Sequence, residues 1–309
     1  MALEGLGVGR KVRYRHIRFP QLIRESTPPA GGDCRCFPTM SPADFFWVSF
    51  LLKAALTATI IVSASLIVER GGPFLGAMIA SLPTSVGAAY IILALEHTPE
   101  FIAGSAVGSL AGNAAGATFA AVYALLARYR SLVFSLGIAL LTWFVMALLL
   151  RFVDWNIWSA LILNVIVVSI TITVTARART ASVTKPYGNS QPYDIPVRAF
   201  LVSLFVILVT TVSHSIGAFA SGVFAVFPMA MSSFIVILHN RIGGKATSNV
   251  IAHAQVPMLG FILVFVIIHF WAPLLGVWVA LGLSLLGSLA WNAILWVRRT
   301  RFVAAMPVD

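Results

Sequence analysis

Apolar residues run through this chain in long unbroken stretches separated by short polar or charged joints. Nine stretches stand out: 45–68, 73–95, 100–127, 132–150, 155–175, 198–216, 218–240, 247–271 and 274–296. A hydrocarbon core about 30 Å thick requires roughly 20 apolar residues of each spanning helix, and every stretch is near or above that length. The runs are rich in Leu, Ala, Val and Gly and lack the strict alternation of barrel strands, so they read as helices. The pattern predicts an all-α integral membrane protein with about nine transmembrane helices.

Two of the runs carry a proline where a helix should be continuous. "GPFLGAMIASLP" ends at Pro83 and "GAFASGVFAVFP" ends at Pro228. A constant offset of 145 aligns them, pairing Gly72 with Gly217, Phe74 with Phe219, Ala80 with Ala225 and Pro83 with Pro228. The same offset pairs Lys53-Ala54 with Arg198-Ala199, Leu56 with Leu201, and Leu93 with Leu238. Repeat 1 therefore covers 45–150 and repeat 2 covers 198–297, each with four spans, and 155–175 is a lone connector helix. An odd connector inverts the second repeat, giving two inverted four-helix repeats, an architecture that recurs in secondary transporters.

Composition supports the class and charge sets an orientation. The chain is 59% hydrophobic and 10% charged, against roughly a quarter charged in soluble domains. Lys and Arg accumulate in cytoplasmic loops. With nine spans, one side collects Arg70, Arg128, Arg130, Arg177, Arg179, Lys185, Arg241, Lys245, Arg298, Arg299 and Arg301, and the other only Arg151. This places the C-terminus in the cytoplasm of a cell whose inner (plasma) membrane the chain crosses. Residues 1–40 carry seven basic residues against three acidic ones and no signal-peptide core, and read as a disordered tail. Its charge contradicts the orientation, and a start at Met40, just before the first span, would remove the contradiction. The only cysteines, Cys34 and Cys36, lie in this tail without a pattern for a disulfide framework or metal site.

The string "KAALTATIIVSASLIVERGGPFLGAMIASLP" from Lys53 to Pro83, with its weaker partner from Arg198 to Phe227-Pro228, resembles the start of the GlpM-like family of small four-span membrane proteins. The resemblance implies a topology, two such units fused through an extra helix. Repeat 1 departs from the family by Leu82 before the proline, and repeat 2 by Arg198 in the lysine position.

The residues with chemistry to offer fall into three groups. Pro83 with Thr84 and Ser85, and Pro228 with Ser232 and Ser233, place hydroxyls beside a carbonyl freed within each repeat; they either bind a solute or cap the kink. Gly104, Gly108, Gly112 and Gly116 make a small-residue ridge that admits a close helix neighbour. That neighbour is another helix of the chain, or a homo-oligomeric or foreign membrane-protein partner. Asn113 lies beside the ridge, and the matching span of repeat 2 carries Asn249, His253 and Gln255, polar groups that are functional hypotheses inside a membrane. Lys53 and Arg198 are a matched cationic pair, either posts that attract an anion or side chains snorkelling to headgroups.

These residues imply a substrate-binding set of Lys53, Pro83, Thr84, Ser85, Asn113, Pro228, Ser232, Ser233, Asn249, His253 and Gln255. The function they point to is secondary transport or export of a small polar or anionic solute near the membrane midplane, with no cofactor, metal or nucleic acid. No catalytic motif is present, so an enzyme is not expected. The alternative is a non-transporting scaffold or assembly partner of an envelope biosynthetic system.

Overall fold

The computed structural model describes residues 51–59, 62–63, 84–179 and 194–304, and all regular structure among them is helical. Residues 51–59 are helical. The helices that follow are α1 (Thr84–Glu96), α2 (Pro99–Leu126), α3 (Leu132–Leu150), α4 (Ile157–Val174) and the single turn α5 (Ala176–Arg179). After them come α6 (Asp194–Ala225), α7 (Met229–Ile242), α8 (Gly244–Met258), α9 (Gly260–Leu275) and α10 (Val277–Ala304). The basic tail lies outside the described residues.

Local chemistry sets the joints. Thr98 caps α2, its hydroxyl accepting from the Phe101 N–H, and Pro99 occupies the first turn, where its missing donor costs nothing. Asn156 and Ser159 form a reciprocal capping box at the start of α4. At Gly217 the backbone takes φ 79° inside α6, and at Gly276 it takes φ 86° between α9 and α10. Side-chain-bearing residues rarely adopt such angles. Both glycines are hairpin points: Phe205 stacks on Phe227 across Gly217, with ring centroids 4.6 Å apart, and Gly260 meets Trp291 across Gly276. The apolar segment Ala199–Ile242 has 44 residues; at about 1.5 Å per residue it would be twice the thickness of a bilayer core if straight, and the fold at Gly217 divides it.

The six segments long and apolar enough to cross a membrane are distributed inside out relative to a soluble protein. Segment Pro99–Leu126 has the lowest hydropathy of the six, 1.3, and is 78% buried, whereas Leu132–Leu150 has 2.4 and is 17% buried. A bilayer would favour this distribution, because without a hydrophobic drive between helices an interior is assembled from small residues in close contact. Accordingly α2, built largely from Ala, Gly and Ser, is the centre, packing against α1, α3, α4, α6, α8 and α9.

The glycine ridge explains how one helix serves so many neighbours. A methyl group added to Gly108 would land on the Phe219 carbonyl, one on Gly112 on Val226, and one on Gly222, from the other side, on the Ser105 carbonyl. The limb 218–225 therefore runs alongside α2 at backbone contact, and Ser109 Oγ donates to the Gly222 carbonyl at 2.8 Å. This limb of the same chain fills the face that the sequence leaves open to a homo-oligomeric or foreign partner. Antiparallel to α2 run α8 and α9, tied by Ser248 to the Ala124 carbonyl, Asn113 Nδ2 to the Met258 carbonyl (3.3 Å) and His269 Nδ1 to the Ala103 carbonyl (3.0 Å).

Candidate functional site

The sequence-derived candidates divide among three places. The first is the helix interruption at Val226–Pro228. Here the pass that begins at 218 leaves helical geometry, and α7 starts afresh at Met229 with Pro228 at φ −77°, ψ 43°. Proline carries no N–H, so the ladder cannot run through it. The Phe227 N–H turns to the Phe224 carbonyl, at 2.9 Å, and the Met229 N–H to the Phe227 carbonyl, at 2.7 Å. Ser232 and Ser233 lie in the first turns of α7. Ser233 donates back to the Ala230 carbonyl at 2.9 Å, whereas Ser232 Oγ is buried with no hydrogen-bond partner. Phe227 is enclosed by Trp143, Phe144 and Phe205, with Trp143 edge-on at 4.7 Å. Pro83 lies outside the described residues; Thr84 opens α1 and Ser85 is half-buried in it.

The second place is the polar seam of α8. Near Pro257 the ladder relaxes into tighter bonds, Leu259 N–H to the Val256 carbonyl and Ile262 N–H to the Leu259 carbonyl, each 3.2 Å. It is the Met258 carbonyl of this junction that the buried Asn113 amide caps. Gln255 is buried with Oε1 at 3.3 Å from the Thr175 hydroxyl and Nε2 unpartnered. Asn249 donates to the Arg179 carbonyl, and Arg179 itself donates to the Ile172 carbonyl at 2.7 Å. His253 is exposed, its Nδ1 at 2.9 Å from the carbonyl of Asn249 one turn back.

The third place holds Lys53. Its Nζ is 2.6 Å from Glu96 Oε1, so its charge is compensated rather than standing free as a post for an anion. Arg198 falls where side chains are not described. Around the ion pair the structure gathers residues that the sequence reading did not select. Glu96 ends α1 and His97 follows it; Ser213 and His214 lie just before the Gly217 fold. His97 Nε2 is 2.7 Å from Ser213 Oγ, and the His97 ring stacks on Phe101 at 3.7 Å and lies 4.3 Å from that of His214. Ser213 Oγ also lies 2.6 Å from the Thr210 carbonyl, a group that can only accept; with the Ser213 proton there, the hydroxyl oxygen is open to a His97 Nε2–H. Burial holds the His97 pKa below its ordinary value, helped by His214 and Lys53 and opposed by Glu96. A cleft of about 370 Å³ opens beside Leu95, Glu96, His97, Thr98 and Phe101. The sequence signal was available: two polar pairs, Glu96-His97 and Ser213-His214, each end a helical limb just before the chain turns back.

No protein-family model, no curated protein and no solved structure matches the chain. The resemblance to GlpM-like units therefore rests on the quoted residues alone.

Proposed function

We propose that the chain is an integral membrane protein of about nine spans, built as two inverted four-helix repeats around the 155–175 connector, and that it works as a secondary transporter of a small polar or anionic solute. The observation that carries the reading is the interrupted helix at Val226–Pro228. It lies midway along an apolar pass and leaves a buried, unpartnered Ser232 hydroxyl beside the new N-terminus of α7. Irregular backbone at membrane depth is tolerated where it is buried or lines a cavity, and interrupted helices in repeated halves are where transporters hold substrate. The N-terminal end of α7 carries partial positive charge, which favours an anionic group on the solute.

The helix register supports the repeat. The starts of α1, α2 and α3 at Thr84, Pro99 and Leu132 recur at Met229, Gly244 and Val277, the same 145 residues on. Contacts follow the same rule. Shifting the Ala103–His269 pair through the offset gives Ser248 and Ala124, the partners of a second hydrogen bond. Asn113 and Met258, separated by 145, touch each other; two equivalent positions in contact lie on the axis that relates the halves. The scaffold alternative draws nothing from the glycine ridge, which the chain fills itself.

Thermal unfolding of the detergent-solubilised protein against anionic, neutral and cationic metabolites tests the reading. A ligand at a hundred times its Kd stabilises by about 2.7 kcal/mol. One chemical class should raise the midpoint of the wild type, and Ser232→Ala should lose that shift while keeping its unliganded midpoint. A wild type that responds to none of the panel, or a Ser232→Ala protein that responds in full, would remove the site from the interruption.

A further inference from the structure

We propose that Glu96, His97 and His214 form a binding site for a zinc-class divalent cation. One donor atom from each of the three lies within 4.8 Å of the other two. Two imidazoles and a carboxylate are a donor set that zinc accepts, with bonds of roughly 2.0–2.2 Å, so the donors need close by at most about 1.5 Å to meet on one ion. Magnesium and calcium prefer shells of oxygen and are poorly matched.

Two independent details point to a ligand. Lys53 holds only one oxygen of the Glu96 carboxylate; Oε2 is buried and has no hydrogen-bond partner. A buried anionic oxygen left unpaired is costly, and a cation completes it while Lys53 keeps Oε1. His97 Nε2, in turn, is engaged with the Ser213 hydroxyl at 2.7 Å, and in the tautomer that donates there Nδ1 carries the lone pair a cation needs. An outer hydrogen bond of this kind is what sets the tautomer and orientation of a metal-binding histidine. His214 is exposed and the neighbouring cleft is open, so an ion has an entry route and water has room to fill its remaining positions. The donors come from two turns that are distant in sequence, so the ion would clasp the α1–α2 turn to the α6 fold. None of this depends on transport or on the interruption at Pro228.

The test uses the full chain without a polyhistidine tag, in a Cys34→Ser/Cys36→Ser background so that the tail thiols do not compete. ZnCl2 is titrated in competition with a chromophoric chelator, bound metal is counted by elemental analysis, and MgCl2 serves as the hard-cation control. The expected result is one zinc per chain and no magnesium. His214→Ala, an exposed position that leaves the fold undisturbed, and Glu96→Gln should each weaken zinc binding at least tenfold, the lower end of the loss seen even for outer-partner changes. Cobalt loaded in place of zinc should give visible absorption bands that disappear in His214→Ala. A parent protein that binds no zinc, or unchanged affinity in His214→Ala, overturns the proposal.

Discussion

At the scale of single residues, the Lys53–Glu96 pair has the sharpest energetic consequence. Both side chains are mostly buried, so removing one charge strands the other. Lys53→Met should cost about 1–3 kcal/mol, between the values for exposed and buried pairs, and Lys53→Met/Glu96→Gln should recover most of it; equal losses in the single and double variants would mean that the pair is not coupled. His97 adds a pH dependence. Its neighbours are Lys53, Glu96 and His214, and its folded pKa lies below the ordinary 6.5. Below that value the unfolded chain binds the proton more readily than the folded one, so stability falls as pH drops through it and is flat above. Melting in EDTA from about pH 7.5 to about pH 5.5 should reveal this loss, and His97→Gln should flatten it. This cluster was hard to read in the sequence because its members are ordinary polar residues near the ends of two helical limbs, and only knowing which limb ends lie together brings them into one place.

At the scale of elements, much was legible because length and hydropathy are read directly from the chain. The run 132–150 is α3 to the residue, and the separate runs 198–216 and 218–240 anticipate the fold at Gly217, where the non-helical backbone divides Asp194–Ala225 into two limbs. The proline prediction holds at Pro228 as a full break rather than a bend, since Val226–Pro228 lie outside both helices. What hydropathy does not encode is partnership. The glycine ridge announced a close neighbour without naming it, because small residues at four-residue spacing, such as Ala218 and Gly222, do not by themselves say which ridge they face. Backbone contact at both glycines sets the prediction. Gly108→Ala and Gly222→Ala each force a carbonyl away and should cost about 1–3 kcal/mol or more. Gly137→Ala and Gly282→Ala, with open space at the added methyl, should be neutral or slightly stabilising because alanine is the better helix former. Matching losses at all four positions in a denaturation series would mean that helix propensity, not the α2–α6 contact, sets the effect.

At the scale of the whole molecule, helix directions and charge make one claim that can be checked in intact cells. The contacts of α2 fix the sense of its neighbours: the limb 218–225 runs with it and α8–α9 run against it. The turn at 97–98, the Arg151–Asp154 joint and the Gly276 turn therefore share one end, and the 127–131 turn and the Gly243 turn share the other. The second end carries Arg128, Arg130, Arg241 and Lys245, and Arg128 donates to the Arg177 carbonyl across it. The first carries Glu96, Glu100 and Asp154 with Arg151 and the paired Lys53. Basic residues mark the cytoplasmic face of membrane proteins, so the prediction is that the acidic end, with the Glu96–His97–His214 cluster, faces outward. In a chain whose Cys34 and Cys36 are replaced by serine, a membrane-impermeant thiol reagent should label Thr98→Cys and Val153→Cys in intact cells. Tyr129→Cys and Lys245→Cys should react only after permeabilisation. Labelling of all four in intact cells would overturn the membrane-spanning reading, and the reversed pattern would keep the bundle but put the histidine cluster in the cytoplasm, where the cleft would meet a different pool of metal ions and solutes.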